Sequence, residues 1–320
     1  MTHADVHIPI ADLRSIYSLA DVERALEDNP PSRNEALTAC YEKMRRAGGE
    51  RFVIKPSSPD VLDPLYANCP NFSEVIDELK KSLALALSGN EPVHFTPILL
   101  LGEPGIGKTH FARQLSHLLG TGYEFVSMSS LTAGWILSGA SSQWNNAKAG
   151  KVASALIEGD YANPLIVLDE VDKAGGDSRY DPMGALYSLF EHDTAKTFRD
   201  EFIDIDMDAS SVLWVATAND EERLPEPILN RMNVYEVPRP DAEQTRCIAA
   251  RLYAEIIAEH RWGFDSEPDE AVLDKLAGLP PRDMRKQLMS AFGNARLDGR
   301  YVLKVEDFPG ERRGKPRMGF

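Results

Sequence analysis

The chain has 320 residues, 43% hydrophobic and 27% charged, with a formal net charge of −15. That composition excludes fibrous and disordered classes and allows two domains with sizeable cores. The acidic balance argues against a broad nucleic-acid-binding face, because phosphate neutralisation needs clustered Lys and Arg. Residues 1–70 read as a helical N-terminal segment, with helices over 11–26 and 33–46 separated by Asn29-Pro30-Pro31-Ser32. Gly48-Gly49 and Lys55-Pro56-Ser57-Ser58-Pro59 then form a breaker-rich connection that sets this segment off from the rest of the chain.

A helical pattern covers 72–87, after which strand and helix signals alternate. The spacing predicts strands at 97–101, 123–128, 164–168, 212–216 and 234–237, with a helix over 108–119. The apolar, β-branched-rich runs among them suit strands buried on both faces of a parallel sheet, so residues 71–240 read as a doubly wound α/β domain. Period-2 alternation over 198–207 predicts a half-exposed hairpin. Beyond Arg239-Pro240 the signals are helical only, at 241–259, 269–277 and 282–296, which marks an all-helical domain over 241–305. Residues 306–320, with Arg312, Arg313, Lys315 and Arg317, read as a solvated basic tail.

Cys40, Cys69 and Cys247 give neither a disulfide framework nor a CxxC pair, which points to a reducing compartment. With no leader pattern and no run of about 18 apolar residues, a cytoplasmic protein without a membrane partner is expected. The seven histidines show no metal-ligand spacing.

Gly102-Glu103-Pro104-Gly105-Ile106-Gly107-Lys108-Thr109 fits G-x-x-x-x-G-K-[ST] between an apolar strand and a helix, the pattern of a phosphate-binding loop. Glycines let the backbone N–H groups close on an anion, and the helix N-terminus adds partial positive charge. Lys108 is expected to reach the β- and γ-phosphates of ATP, and the Thr109 hydroxyl to ligate Mg2+. His110 closes the binding stretch as a surface residue at the helix start rather than a base. Leu165-Ile-Val-Leu-Asp169-Glu170 ends an apolar strand in two carboxylates, where ligands meet a parallel sheet: Asp169 to hold magnesium, Glu170 to polarise the attacking water. Asn219, ending another buried strand, can donate to the γ-phosphate and hold that water.

In order and spacing these elements resemble the AAA+ module of ATP-dependent Lon proteases. The resemblance runs through Asn163-Pro-Leu-Ile-Val-Leu-Asp-Glu-Val-Asp-Lys173, Asp181-Pro-Met-Gly-Ala-Leu186, Lys196-Thr-Phe-Arg-Asp200, Ala216-Thr-Ala-Asn219 and Leu224-Pro-Glu-Pro-Ile-Leu-Asn-Arg231-Met, within residues 70–300. It implies a P-loop NTPase with an AAA+ core and a helical lid. It further implies that Arg231 is an arginine finger serving a neighbouring subunit of a homo-oligomeric ring, with a hexamer as the expected size. Arg282 falls where such proteins carry the lid arginine that senses nucleotide, with Arg285 as the competing candidate. Trp144 falls where Lon-like motors place the aromatic that grips a threaded polypeptide, although Asn145 follows it where the family has an aliphatic residue. Only about 20 residues follow the last helix, too few for a peptidase domain, so no peptidase activity of its own is expected and a separate peptidase is a possible partner. The expected function is ATP hydrolysis that remodels, unfolds or threads a protein. The alternatives are a nucleic-acid-directed AAA+ ATPase, such as a loader or a transposition or defence regulator, and a slow nucleotide-dependent assembly switch.

Overall fold

The computed structural model describes residues 11–29, 34–130, 135–144, 147–174 and 183–309. These fall into two compact units. The first takes the described residues up to Asp63, then Glu74–Gly102 and Lys108–Glu236, and the second takes Pro64–Ser73, Glu103–Gly107 and the described residues from Val237 onward.

The strands are β1 (Ala11–Ser15), β2 (Glu50–Ile54), β3 (Ile98–Leu101), β4 (Tyr123–Ser127), β5 (Leu165–Asp169), β6 (Phe198–Arg199), β7 (Asp206–Met207), β8 (Leu213–Ala218) and β9 (Asn233–Glu236). In the first unit a five-stranded sheet runs in the order β4-β5-β8-β3-β9, each neighbouring pair parallel. Its inner strands show why the sequence folds this way: every residue of β8 is buried, as are Leu165–Leu168 of β5 and Ile98–Leu100 of β3. Covered on both faces, they need no polar alternation. The helix Lys108–Leu119 follows β3 and buries Phe111, Ala112, Leu115 and Leu119 at the i, i+1, i+4, i+8 spacing expected of a helix laid on a sheet. The period-2 stretch forms a short antiparallel pair, β6 with β7, in which Phe198 faces Met207.

The N-terminal segment departs from the expected pair of helices. Residues 11–15 form β1, which pairs antiparallel with β2, and the first helix starts only at Leu19. The physical reason is the cap at Ser18, whose side chain accepts the Asp21 N–H and so fixes the helix start there. Upstream of it Leu13 lies opposite Phe52 across the ladder. A second helix, Glu35–Ala47, comes next as expected and ends at Gly48, where φ is +75°.

Polar clamps fasten this segment to the α/β sheet. The buried Arg51 guanidinium donates to Leu156 O at 2.9 Å and Ile157 O at 2.8 Å, the last turn of helix Lys151–Glu158, and to Gly48 O at 2.9 Å beyond helix Glu35–Ala47. One cation thereby satisfies carbonyls at two helix C-termini, where the helix dipole favours positive charge. The fully buried Asn163 amide accepts the Ile54 N–H at 3.0 Å and donates to Ile54 O at 3.1 Å, standing in for a strand neighbour.

The second unit is helical. Helices Ala242–Glu259, Glu270–Ala277 and Pro281–Leu297 bury Tyr253, Ile256, Val272, Leu276, Leu288 and Phe292 in one core. The first of these helices starts at a capping box between Asp241 and Gln244 and also packs against the short helix Pro64–Asn68. No helix among the described residues is long and apolar enough to cross a membrane.

Arg51→Ala strips the donors from several buried carbonyls at once. It is expected to lower unfolding free energy by about 3 kcal/mol, measured as an earlier chemical-denaturation midpoint at unchanged slope. A change below about 1 kcal/mol would show that other groups cap those helix ends.

Candidate functional site

The C-terminal ends of β3, β5 and β8 lie side by side, with Leu101 opposite Ala218 and Leu168 opposite Ala216. From these ends, within the first unit, Lys108, Thr109, Asp169, Glu170, Thr217 and Asn219 converge. Lys108 is buried, and its ammonium donates to Gly102 O and, at 2.9 Å, to Asn219 Oδ1. Desolvation pulls the Lys108 pKa below the usual lysine value, opposed by the carboxylates of Asp172, Asp169 and Glu170. Thr109 Oγ1 donates to Asp169 Oδ1 at 2.8 Å.

Thr217 was not foreseen from the sequence. Its buried hydroxyl donates to the same Asp169 Oδ1 at 2.9 Å and accepts the Glu170 N–H at 2.9 Å. The available signal was its place in the same buried run, two residues before Asn219. Glu170 sits in the left-handed region at φ 56°, which costs a residue with a Cβ about 1–2 kcal/mol. Its carboxylate pairs with Lys173, which holds it below the usual carboxylate range; burial opposes this and a hydrogen bond with Ser129 assists.

The glycine loop supplies the conformations that a phosphate cradle needs: Gly105 has φ +86° and Gly107 φ +104°, values that L side chains rarely adopt. His110, in the first turn of the following helix, is exposed. Within the second unit, Glu103 pairs with Arg239, and Asn71 donates to Pro238 O at 3.1 Å. A Cβ on Gly105 would lie 3.4 Å from the Arg282 Cβ, whereas Arg285 pairs with Glu259. Of the two competing arginines, Arg282 is thus the one beside the loop.

These residues fit Mg-ATP. Within the first unit the Lys108 ammonium is buried, and the Thr109 hydroxyl and Asp169 carboxylate form the hard-oxygen set magnesium takes.

Arg231 is held within its own chain. It forms an ion pair with Glu191 at 2.5 Å, donates to Pro227 O at 2.6 Å and lies 5.9 Å above the Tyr187 ring. Its buried Nε has no hydrogen-bond partner. Trp144 is 48% exposed and meets Trp135 edge-on at 5.2 Å; Asn145 and Asp181 lie outside the described residues. The loop carrying Trp144 is closed at its base by Ala140 N–H donating to Lys148 O at 3.2 Å. Beneath it the fully buried Asp200 accepts N–H groups from Gly150 at 2.7 Å, Phe202 at 2.9 Å and Ile203 at 3.2 Å. Burial pushes the Asp200 pKa up to about 6, against those three bonds. Cys40, Cys69 and Cys247 are free thiols, and burial pushes Cys40 up to about 11 and Cys69 to about 12.

A parallel sheet with a glycine loop, a buried lysine and an Asp-Glu strand end defines a P-loop NTPase. Residues 98–239 match the AAA family, described as the ATPase family associated with various cellular activities. Lon protease of Nitrosococcus oceani is 34% identical over 239 residues, 74% of this chain and 30% of that protein. Lon protease 2 of Sorangium cellulosum is 34% identical over 185 residues, 56% of this chain and 23% of that protein. The matched part thus spans less than a third of the length of these relatives. Among solved structures, the Thermotoga maritima RuvB Holliday junction branch migration motor overlays with a TM-score of 0.51 at 18% identity, covering 73% of this chain and 66% of that one. Hsp104 in a closed state with ATPγS and FITC-casein overlays with a TM-score of 0.59 at 15% identity, covering 75% and 48%. At these identities the shared feature is the fold. Residues 98–239 are thus an AAA family module, similar to the ATPase region of Lon proteases.

Lys108→Ala removes the buried ammonium that ends the loop. No heat of ATP association is then expected in calorimetry with magnesium, at concentrations that saturate the unaltered chain. Binding retained within about threefold, worth under 0.7 kcal/mol, would take Lys108 out of the site.

Proposed function

We propose that this chain hydrolyses ATP to ADP and phosphate in a homo-oligomeric ring, in a cytoplasmic setting, and uses the cycle to remodel, unfold or thread a protein partner. The observation that carries the ATPase reading is the Thr109 to Asp169 hydrogen bond with Glu170 as the next residue. It puts the two assigned metal residues in contact and the assigned water-polarising residue beside them. Bound Mg-ATP supplies the labile phosphoanhydride and, through the metal, charge neutralisation at the transferred group. Lys108 neutralises phosphate charge, and Gly102–His110 wraps it. Glu170, held acidic by Lys173, takes the proton of the attacking water, which Asn219 orients. Residues 241–305 act as the lid, from which Arg282 senses nucleotide beside Gly105.

The protein partner is supported by the acidic chain, by the similarity to Lon ATPase regions, and by an exposed Trp144 on a loop anchored through Asp200. Turnover is expected to rise several-fold with an unfolded protein and to stay unchanged with single- or double-stranded DNA, while Glu170→Gln should be slower by about 10²–10⁴-fold. Stimulation by DNA alone would reverse the choice of partner. Equal, negligible turnover of the unaltered chain and Glu170→Gln would leave only a nucleotide-dependent switch.

The proposed ring makes each site depend on Arg231 of a neighbour. Arg231→Ala should bind ATP normally and not hydrolyse it. Mixing that variant with Glu170→Gln should restore part of the turnover, because some interfaces then pair an intact Glu170 with an intact Arg231. Mixtures shown to co-assemble yet remaining inactive would rule the shared site out.

A further inference from the structure

We propose that Thr217 is a positioning residue for hydrolysis, setting Asp169 and Glu170 through a single hydroxyl. The inference rests on the reading of those two residues as the magnesium-holding and water-polarising groups. A hydroxyl has one proton to give and lone pairs to receive with, and Thr217 uses both sides. It gives the proton to Asp169 Oδ1 at 2.9 Å and receives the Glu170 N–H at 2.9 Å. Asp169 and Glu170 are consecutive, so the hydroxyl spans the peptide unit at which the chain leaves β5 and turns left-handed at φ 56°.

That turn directs the Glu170 side chain, and a non-glycine residue stays in the left-handed region only where its surroundings over-determine it. The Thr217 bond to the Glu170 amide is one contact that does so, beside the Lys173 N–H on Glu170 O at 2.9 Å. Asp169 Oδ1 meanwhile accepts from two hydroxyls, Thr109 and Thr217. Thr109 is the one assigned to the metal, which leaves Thr217 as the side-chain donor that keeps the carboxylate oriented once Thr109 is engaged. Thr217 is 1% exposed and β-branched, so its χ1 is restricted. Asn219 follows directly after this strand ends at Ala218, so the same segment of chain carries Thr217 and the amide assigned to orient the water.

The test compares Thr217→Val, which keeps the shape and loses the hydroxyl, with Thr217→Ser, which keeps the hydroxyl. In the nucleotide-free chain, residue-resolved hydrogen exchange should show the Glu170 amide protected in the unaltered chain and in Thr217→Ser, and exchanging at least tenfold faster in Thr217→Val. With ATP, Thr217→Val should keep its dissociation constant and KM within about threefold while kcat falls about 10–100-fold, the scale of a misplaced catalytic group. Thr217→Ser should stay within about threefold of the unaltered kcat. An unchanged kcat in Thr217→Val, or a Thr217→Ser as slow as Thr217→Val, overturns the proposal while leaving the nucleotide site intact. If Thr217→Val fails to fold, Thr217→Ala supplies the hydroxyl-free comparison with the same expected outcomes. Failure of the unaltered chain to bind ATP would instead sink the site reading, with the Glu170 amide exchange still judging whether Thr217 holds the turn.

Discussion

The register between β5, β8 and β3 is the constraint on which the site depends. A strand buried on both faces gains equally from either phase of its apolar residues, so burial fixes its register weakly compared with a strand that has one wet face. In β5 and β8 the polar groups at the C-terminal ends decide. With Leu168 opposite Ala216, the Thr217 hydroxyl meets Asp169 and the Glu170 amide; with Leu101 opposite Ala218, Gly102 N–H reaches Ala218 O at 3.2 Å. A slip by one residue would turn Thr217 to the opposite face, taking one of two hydroxyl donors from Asp169 Oδ1 and leaving the part-buried Glu170 amide short of its partner. Unsatisfied groups of that kind cost about 1–3 kcal/mol each. The polar contacts that form the site are therefore also what align the sheet beneath it.

The same constraint explains what could be read from the chain alone. The apolar runs ending in Leu101, Leu168 and Ala216 announce themselves by composition, and the glycine loop and the Asp169-Glu170 pair by their place after such runs. The helix Lys108–Leu119 lies where its periodicity puts it. Ala11–Ser15 was legible only in hindsight. Five residues with one central Leu fit either period, and what makes them a strand is a partner some 40 residues away, a long-range pairing that no local window contains. Arg51 and Asn163 escaped for a related reason. An Arg beside a Glu in an alternating stretch reads as a solvated pair, yet the fold turns this one inward onto helix carbonyls. Thr217 was hidden because a β-branched residue in a buried strand needs no further explanation until its hydroxyl is seen between two acidic residues.

The clamps at Arg51 and Asn163 give the N-terminal segment a definite mechanical status. Asp208 N–H donates to Ile16 O at 2.7 Å, the Tyr41 hydroxyl to Ile203 O at 2.7 Å, and Asn34 Nδ2 to Ser142 O at 3.0 Å. These bonds link the segment to the β6–β7 hairpin and to the loop that carries Trp144. The hairpin in turn holds that loop through Asp200, against which a Cβ on Gly139 would stand 2.1 Å from Oδ1. The loop is thus tied to the hairpin by buried hydrogen bonds and to the N-terminal helices by a part-buried one.

Arg231 presents the complementary problem, because the role proposed for it requires reaching out while the single chain holds it in. Its pair with Glu191 is partly exposed, with side-chain exposures of 28% and 46%, and pairs in such settings contribute about 0–1 kcal/mol. The Pro227 carbonyl and the Tyr187 ring add contacts of similar modest size. Against these stands the unpartnered, buried Nε, a donor whose hydrogen-bonding capacity the intrachain arrangement leaves unused. Exchanging Glu191 for phosphate oxygens across a subunit interface would replace one anion by another that the guanidinium fork matches at least as well. The intrachain contacts of Arg231 are therefore weak in free energy, which agrees with the role proposed for it at a subunit interface.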